Sequence, residues 1–470
     1  MKPGKLVLLV GILAAGATIE TADRIRARVD VGPFGWVALG GRFQGAAFTY
    51  EATERKDVPA GTRAAVENGF GTVDVRPGAP GVIEVKLRKV VFMPKEAKAR
   101  EFADRLVVRS ELAGGVLRVT TNRAELEREV EPIGPFRFGS IGFETHLSVR
   151  VPPGTEVEVK NEHGIVDVAE VASARIESSY DDVKLRDVAG TANVSVSHGD
   201  ATIDKITGEL QISARYGDVT LADASAGVKI NQAHGDVTTA RTGRLSLETQ
   251  YGDLSSEDVR GDLQVRGEHS AVTASRIQGG ADVETSYDDV KLTDVGADAR
   301  VKVEHGGATL SGIKGAATAE TSYNDVDIEQ VGGAVTASVE HGSVRASRIA
   351  AGARVKADGD DILLDGFRGP VEAEAQRGSV RLVPDGPLVG SLSARATYGD
   401  VQLQVPPGSR FELQATTDSG SLDVTLPGLT TSESSETRLV GRLGEGGSLV
   451  QLSASHGDVR ISPRSEVANR

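Results

Sequence analysis

The residues of this chain best suited to chemistry recur at a fixed interval. Rings stand at His163, Tyr180, His198, Tyr216, His234, Tyr251, His269, Tyr287, His305, Tyr323 and His341, with His and Tyr alternating at steps of 17 or 18 residues. Tyr398 and His456 fall in the same phrase further on, so the phrase takes seven of the eight His and six of the seven Tyr. Beside the rings runs a second series, Asp182, Asp200, Asp218, Asp236 and Asp253, set by Gly-Asp turns. A row of imidazoles titrating near pH ~6.5 would sense acid. A row of carboxylates suits a hard cation such as calcium. Each series also has a plainer reading, and the plainer reading is preferred. Stacked rings pack a corner, and Asp with Gly builds a turn while its carboxylate caps backbone N–H groups. Successive His are two repeats apart with a Tyr between them, too far apart to share a metal. Several turns lose the Asp, at Ser270, Gly307 and Ser343. Calcium at the five Asp is kept only as the secondary reading.

Catalysis needs a constellation that breaks the repeat. Lys184 with Asp181 and Asp182, and Lys291 with Asp288 and Asp289, are the nearest approach to one. Both merely restate the pattern, which reads as a solvated face. A Gly-rich phosphate loop, a nucleophile elbow and an HExxH motif are all missing from the sequence. No catalytic residue and no cofactor is therefore expected.

The elements that carry these residues follow from the alternation around them. Val194, Val196 and His198 share one parity, as do Val301, Val303 and His305, and as do Leu245, Leu247, Thr249 and Tyr251. Alternate residues of a strand face opposite sides. This parity predicts rings that point inward at the corner where each strand ends. After the turn a second strand carries Val183, Leu185 and Val188, then Ala201, Ile203 and Ile206 one repeat later. One such unit cannot bury its own apolar face; stacked in parallel, many can. The expected fold is all-β: a single-stranded parallel β-solenoid of ~18-residue rungs with one short capping helix, right-handed by analogy with parallel crossovers. About 16 to 18 rungs would make a rod roughly 80 Å long at ~4.8 Å per rung. An outward column of Thr202, Thr220, Thr238, Ser255, Thr273 and Thr309, broken by Lys184 and Lys291, offers a flat binding strip. Thr is equally at home on any solvated strand face.

Composition agrees with a thin rod. Glycine is 56 of 470 residues, well above the usual ~7%, and aromatics are 4%. A net charge of −14 argues against nucleic acid, which needs Lys and Arg against phosphate. With no Cys, disulfides, thiolate metal sites, a Cys nucleophile and a lipid anchor on an N-terminal Cys are excluded.

Along the chain, residues 1–19 read as a signal peptide: Lys2 and Lys5 precede an apolar run from Leu6 to Ala17 with a small-residue cleavage site. An uncleaved signal anchor through residues 6–19 is the alternative. Residues 20–62, with Phe34, Trp36, Phe43 and Phe48, read as a linker and N-terminal cap. Residues 63–150 are opening rungs with a helical excursion near 94–106, placed by Pro94 and by Ala99, Phe102, Ala103 and Leu106. That helix is expected to cap the open end of the stack. Residues 123–141 read as a loop. The regular array spans 151–345, and looser rungs span 346–462 with a polar loop at 427–447. Residues 463–470 are a tail.

The chain resembles a family of bacterial envelope proteins known only as candidate adhesins of unknown function. The resemblance rests on VRVPPGTEVEVKNEHG, on the repeated HGDV and YGDV phrases, and on the closing GDVQLQVPPGSRFELQATTDSGSLDVTLPG and SASHGDVRIS. It implies a parallel β-solenoid, often behind a signal or membrane anchor, with no catalytic residues. The expected protein is a non-enzymatic rod exported to the periplasm or cell surface, binding an envelope or surface glycan or protein. Contact with a membrane would come only through an uncleaved N-terminal segment. A carbohydrate-active β-helix enzyme and a membrane-tethered envelope-stress accessory protein are the alternatives.

Overall fold

A computed structural model describes residues 46–129 and 142–464. The readings of residues 1–19 and most of 20–62, including Phe34, Trp36 and Phe43, fall outside the described residues, as does nearly all of the tail.

Each turn holds two strands and two corners. Ala192–His198 ends in a Gly-Asp turn, Ala201–Ile206 follows, and a second corner leads into Leu210–Tyr216. The first strands of successive turns form one parallel sheet and the second strands another. Val194 pairs with Ile176 below and Ile212 above, while Ile203 pairs with Leu185 and Leu221. About 14 turns wind consecutively from Glu156 to Val405. This is a parallel β-solenoid of roughly 18-residue rungs. The consecutive winding is shorter than the expected 16 to 18 rungs, because further layers at the two ends are stacked by strands from elsewhere in the chain.

The core is a single narrow column between the sheets. It is built from Val, Ile, Leu and Ala that repeat at fixed offsets, such as Val183, Leu185, Ile212, Leu221, Leu247 and Val265. Two turns depart from this pattern. Thr239 and Ser256 occupy the column of Leu221, and the Thr239 hydroxyl donates to Ser256 Oγ at 2.8 Å. Pairing them satisfies two groups whose burial would otherwise cost free energy.

The N-terminal end is closed by antiparallel strands. Arg63–Phe70 and Val73–Pro77 form the layer before Glu156–Val171. Beyond them, Gly142–Val151 pairs with Val82–Met93, which pairs with Ala46–Asp57. On the other sheet, Val116–Thr121 pairs with Val108–Ala113. A polar clasp joins the two outermost strands: Lys56 Nζ donates to the Ser110 carbonyl at 2.7 Å, and the Ser110 hydroxyl donates to Glu54. The helix Glu96–Arg105 therefore does not close the main core, as the sequence suggested. It builds a second core, in which Ala99, Phe102, Ala103 and Leu106 meet Val91, Met93, Leu126 and Phe143. Leu126 comes from a second helix, Arg123–Glu129, within the stretch read as a loop. Arg123 anchors it: its guanidinium donates to the Phe143 carbonyl and lies 4.1 Å from the Phe143 ring centroid.

At the C-terminal end the stacking order departs from the sequence order. Ser448–Ala454 lies between Leu392–Ala396 and Phe411–Thr417, parallel to both. Val459–Pro463 lies likewise between Val401–Val405 and Leu422–Val424. The stretch 427–447, read as a loop, is mostly a hairpin of Leu429–Ser434 and Arg438–Leu443, whose second strand pairs antiparallel with Phe411–Thr416.

Candidate functional site: the ladders and the outward columns

The ring column runs up one corner. From His163 to His341 each ring stacks on the next at 4.3–5.1 Å between centroids, with planes within 5–21° of parallel. Tyr398 stacks on His456 at 4.9 Å, although 58 residues separate them, because the last layer is inserted beside Leu392–Ala396. The inward direction expected from parity is overturned. The Tyr of the ladder and Tyr398 are 41–57% exposed. The strand turns outward before it ends: pairing steps from Val196↔Ala214 directly to His198↔Tyr216, leaving Ser197 and Arg215 out of the ladder. Parity holds only along a straight strand.

Polar side chains two residues before the ring fill the corner from inside, and sequence reasoning missed them. Asn161 donates to the Gly164 carbonyl, Gln232 Nε2 to the Gly217 and His234 carbonyls, and the Thr285 hydroxyl to the Tyr287 carbonyl. They satisfy turn carbonyls that point into the core. Their signal was a polar residue at the last inward position of a strand.

The Asp series caps the next turn. Asp182 Oδ1 accepts the backbone N–H of Asp200 at 3.0 Å, Asp200 that of Asp218 at 2.8 Å, Asp218 that of Asp236 at 2.9 Å, and Asp236 that of Asp253 at 2.9 Å. Asp253 accepts from Ala271 at 3.0 Å. Asp289, Asp325 and Asp361 repeat the contact higher up. The Ser343 backbone N–H holds the Asp325 carboxyl below its ordinary range, with Arg345 adding to the effect. The Ser421 backbone N–H does the same for Asp458. Among the described residues, no three His, Asp or Glu converge on a point that could hold a metal ion.

The catalytic candidates sit within the same scheme. Asp181 Oδ2 accepts the Gly164 N–H, and Asp182 and Asp289 cap the following turn. Lys184 shares an outward column with Thr202, and Lys291 lies in that column between Thr273 and Thr309. Thr202, Thr220, Thr238, Ser255, Thr273 and Thr309 are all exposed on the second sheet.

The opposite corner carries a third ladder that sequence reasoning missed. Asp187, Lys205, Asp223, Arg241, Asp258, Arg276 and Asp294 all have left-handed backbones, with φ of 54–57° for six of them and 59° for Asp258. Their charges alternate without a break. Lys205 meets Asp187 at 3.7 Å, and Arg241 forms a two-point pair with Asp223 at 2.7 and 2.8 Å. Arg276 pairs with Asp258 in the same way and also with Glu257. Hydrogen bonding to Arg241 holds the Asp223 carboxyl below its usual range, and hydrogen bonding to Asp223 raises Arg241. The signal was present in the sequence as alternating charge at the 17–18-residue period.

His146, the one histidine outside the repeat, is buried. Its Nε2 faces Glu144 Oε2 at 2.9 Å, and its Nδ1 lies 3.0 Å from the Thr72 hydroxyl and accepts the Thr72 backbone N–H at 3.2 Å. Hydroxyl, imidazole and carboxylate are connected as in a nucleophile relay. With His146 4% and Glu144 2% exposed, the arrangement braces Gly142–Val151 against the turn at Gly71.

Comparison with known proteins sets this geometry in context. No curated protein matches the chain. Among solved structures, a candidate cell adhesion protein from Clostridium sporogenes is similar at 9% identity, covering 88% of this chain and 100% of its own, with a TM-score of 0.18. A candidate adhesin from Parabacteroides distasonis is similar at 10% identity, covering 70% of this chain and 96% of its own, with a TM-score of 0.15. The profile of the Toastrack DUF4097 family matches residues 109–258 and 335–462. A chain matched over more than half its length, and wound as a solenoid through the matched segments, belongs to the Toastrack DUF4097 family.

Proposed function

We propose that the protein is a non-enzymatic binding rod of the cell envelope, exported through its N-terminal segment. The observation that carries this reading is the regularity of the outward faces. The Thr/Ser column from Thr202 to Thr273 stays in register through five turns, one exposed hydroxyl per turn. Of the candidate catalytic carboxylates, Asp181, Asp182 and Asp289 are engaged in holding turns. A face of this kind suits an extended partner contacted many times over, a surface glycan or protein, better than one small substrate. The ring and charge ladders then act as stiffeners that keep the face straight.

The test is co-sedimentation of the purified full chain with envelope fractions and polysaccharides, with and without calcium, with the supernatant assayed for released sugars. Saturable retention without release supports a binding rod. Dependence on calcium would give the Asp series a second role. Released sugars would overturn the non-enzymatic reading, and a lack of retention by any fraction would overturn surface binding.

A further inference from the structure

The first sheet also has an outward face, and its central column is charged with alternating sign. Lys160 stands over Glu177 at the N-terminal end; further on, Glu248, Arg266, Glu284, Lys302 and Glu320 follow one another in register. Neighbours pair along the column: Lys160 with Glu177 at 3.5 Å, Arg266 with Glu284 at 3.3 Å, Lys302 with Glu284 at 3.7 Å. Between Glu177 and Glu248 the charges stop. Three consecutive turns present Ser195, Ser213 and Asn231 instead. The adjoining column is uncharged in the first two of these turns, at Asn193 and Gln211.

A groove of about 710 Å³ opens over this gap. It runs from the turn of Ser195 to that of Ser286, crossing the strands; its first three turns lie over the gap, its last three over Glu248, Arg266 and Glu284, and Arg215 and Glu268 also border it. Six turns at ~4.8 Å make it about 24 Å long. Its polar groups are incompletely used. Asn231 Oδ1 is covered and has no hydrogen-bond partner. An unpaired buried acceptor is costly, so a ligand that brings donors gains at such a place.

We propose that this groove binds a segment of neutral polysaccharide lying along the rod axis. A polyhydroxyl chain brings both donors and acceptors to Ser195, Ser213 and Asn231, and it carries no charge to conflict with a rim of both signs. A peptide fits less well. The backbone of the floor is already committed to its parallel ladders, so no strand can be added. The inference rests on the reading of the rod as a binding protein but names a different face from the Thr column and a class of ligand.

Calorimetric titration of the full chain with cellohexaose, chitohexaose and polygalacturonate tests it. A neutral hexasaccharide is expected to bind. Ser213→Arg, an outward substitution that fills the groove, is expected to weaken binding at least ten-fold without altering the thermal melt. Thr220→Arg on the other sheet should leave binding unchanged. The proposal is overturned if no neutral oligosaccharide binds, if both Arg variants lose binding equally, or if polygalacturonate binds more tightly than the neutral chains. Retention on envelope fractions separates the two readings. Retention without oligosaccharide binding sinks the groove and leaves the rod, whereas oligosaccharide binding without retention does the reverse.

Discussion

Arg241 lies one turn above Asp223 and closes on it with two hydrogen bonds, Nε to Oδ1 and Nη2 to Oδ2. Both residues hold left-handed backbones, which Asp tolerates more readily than Arg. The corner thus selects for residues that gain something from their neighbours in compensation.

That pair fixes a pH dependence. The Asp223 carboxyl is held below its ordinary range by Arg241, so the folded chain releases this proton more readily than the unfolded chain. The resulting stability is present above the unfolded value of ~3.9 and is lost as pH falls through the folded value. Asp258, held low by Arg276, adds to the same window. Arg241→Gln should therefore lower the melt at pH 7 slightly and move the acid unfolding midpoint to higher pH, with its difference from the native chain shrinking as pH falls through the folded value. Circular dichroism across pH 2 to 7 reads both.

The Asp caps predict a graded series. Asp200 Oδ1 accepts the Asp218 N–H. Asp200→Ala removes the acceptor and should cost about 1 kcal/mol. Asp200→Asn keeps an acceptor oxygen and should cost less. Urea unfolding gives the order; an Asn variant as unstable as Ala would mean that charge, and not the hydrogen bond, is what the turn requires.

Turn glycines should be less replaceable than the rings above them. Gly252 has φ of 132°, and a Cβ there would lie 1.9 Å from the Gly235 carbonyl oxygen. Gly252→Ala must therefore displace the turn of the neighbouring rung. At Gly81, also with positive φ, a Cβ would meet open space, so the alanine variant bears backbone strain alone, about 1 kcal/mol. Gly252→Ala should lower Tm several times more than Gly81→Ala, measured by calorimetry on both.

The ring ladder predicts a contrast between stacking and hydroxyl chemistry. Tyr251 stacks on His234 at 5.0 Å and His269 at 4.9 Å, yet is 46% exposed. Tyr251→Ala should cost about 1 kcal/mol, in the range of exposed aromatic pairs. Tyr251→Phe retains the stack and should be nearly silent, as should Thr238→Ala on the outer face. A Phe variant as damaging as Ala would assign the ladder's contribution to the hydroxyl.

The period and the two-strand turn were legible in the sequence because Val194, Val196, Ile203 and Ile206 repeat with the chain's own geometry. The direction of the rings was not. Parity carried His198 inward along with Val196, while the strand turns out at Ser197, and only the pairing register reveals that bend. The alternating charges from Asp187 to Asp294 were visible in the sequence, but a charged residue at the outward end of a strand usually marks only solvent. The helix Arg123–Glu129 was hidden by its shortness and by the Pro and Gly that follow it. The stacking order at the C-terminal end could not be read at all. Ser448–Pro463 has the pattern of any other turn, and pattern does not say which turns are neighbours.

The stacking order at that end governs when the rod can be finished. Turns from Glu156 to Val405 can be laid down one upon the next as synthesis proceeds. Phe411–Val424 then has Leu392–Val405 as its available neighbour, although in the finished molecule those layers are held apart by Ser448–Pro463. The gap must be left open, or opened again, until the final residues arrive to occupy it. A chain cut before Ser448 would keep every regular turn and still lack the middle piece of its own end. Intactness of the C-terminus is thus written into the last fold that forms.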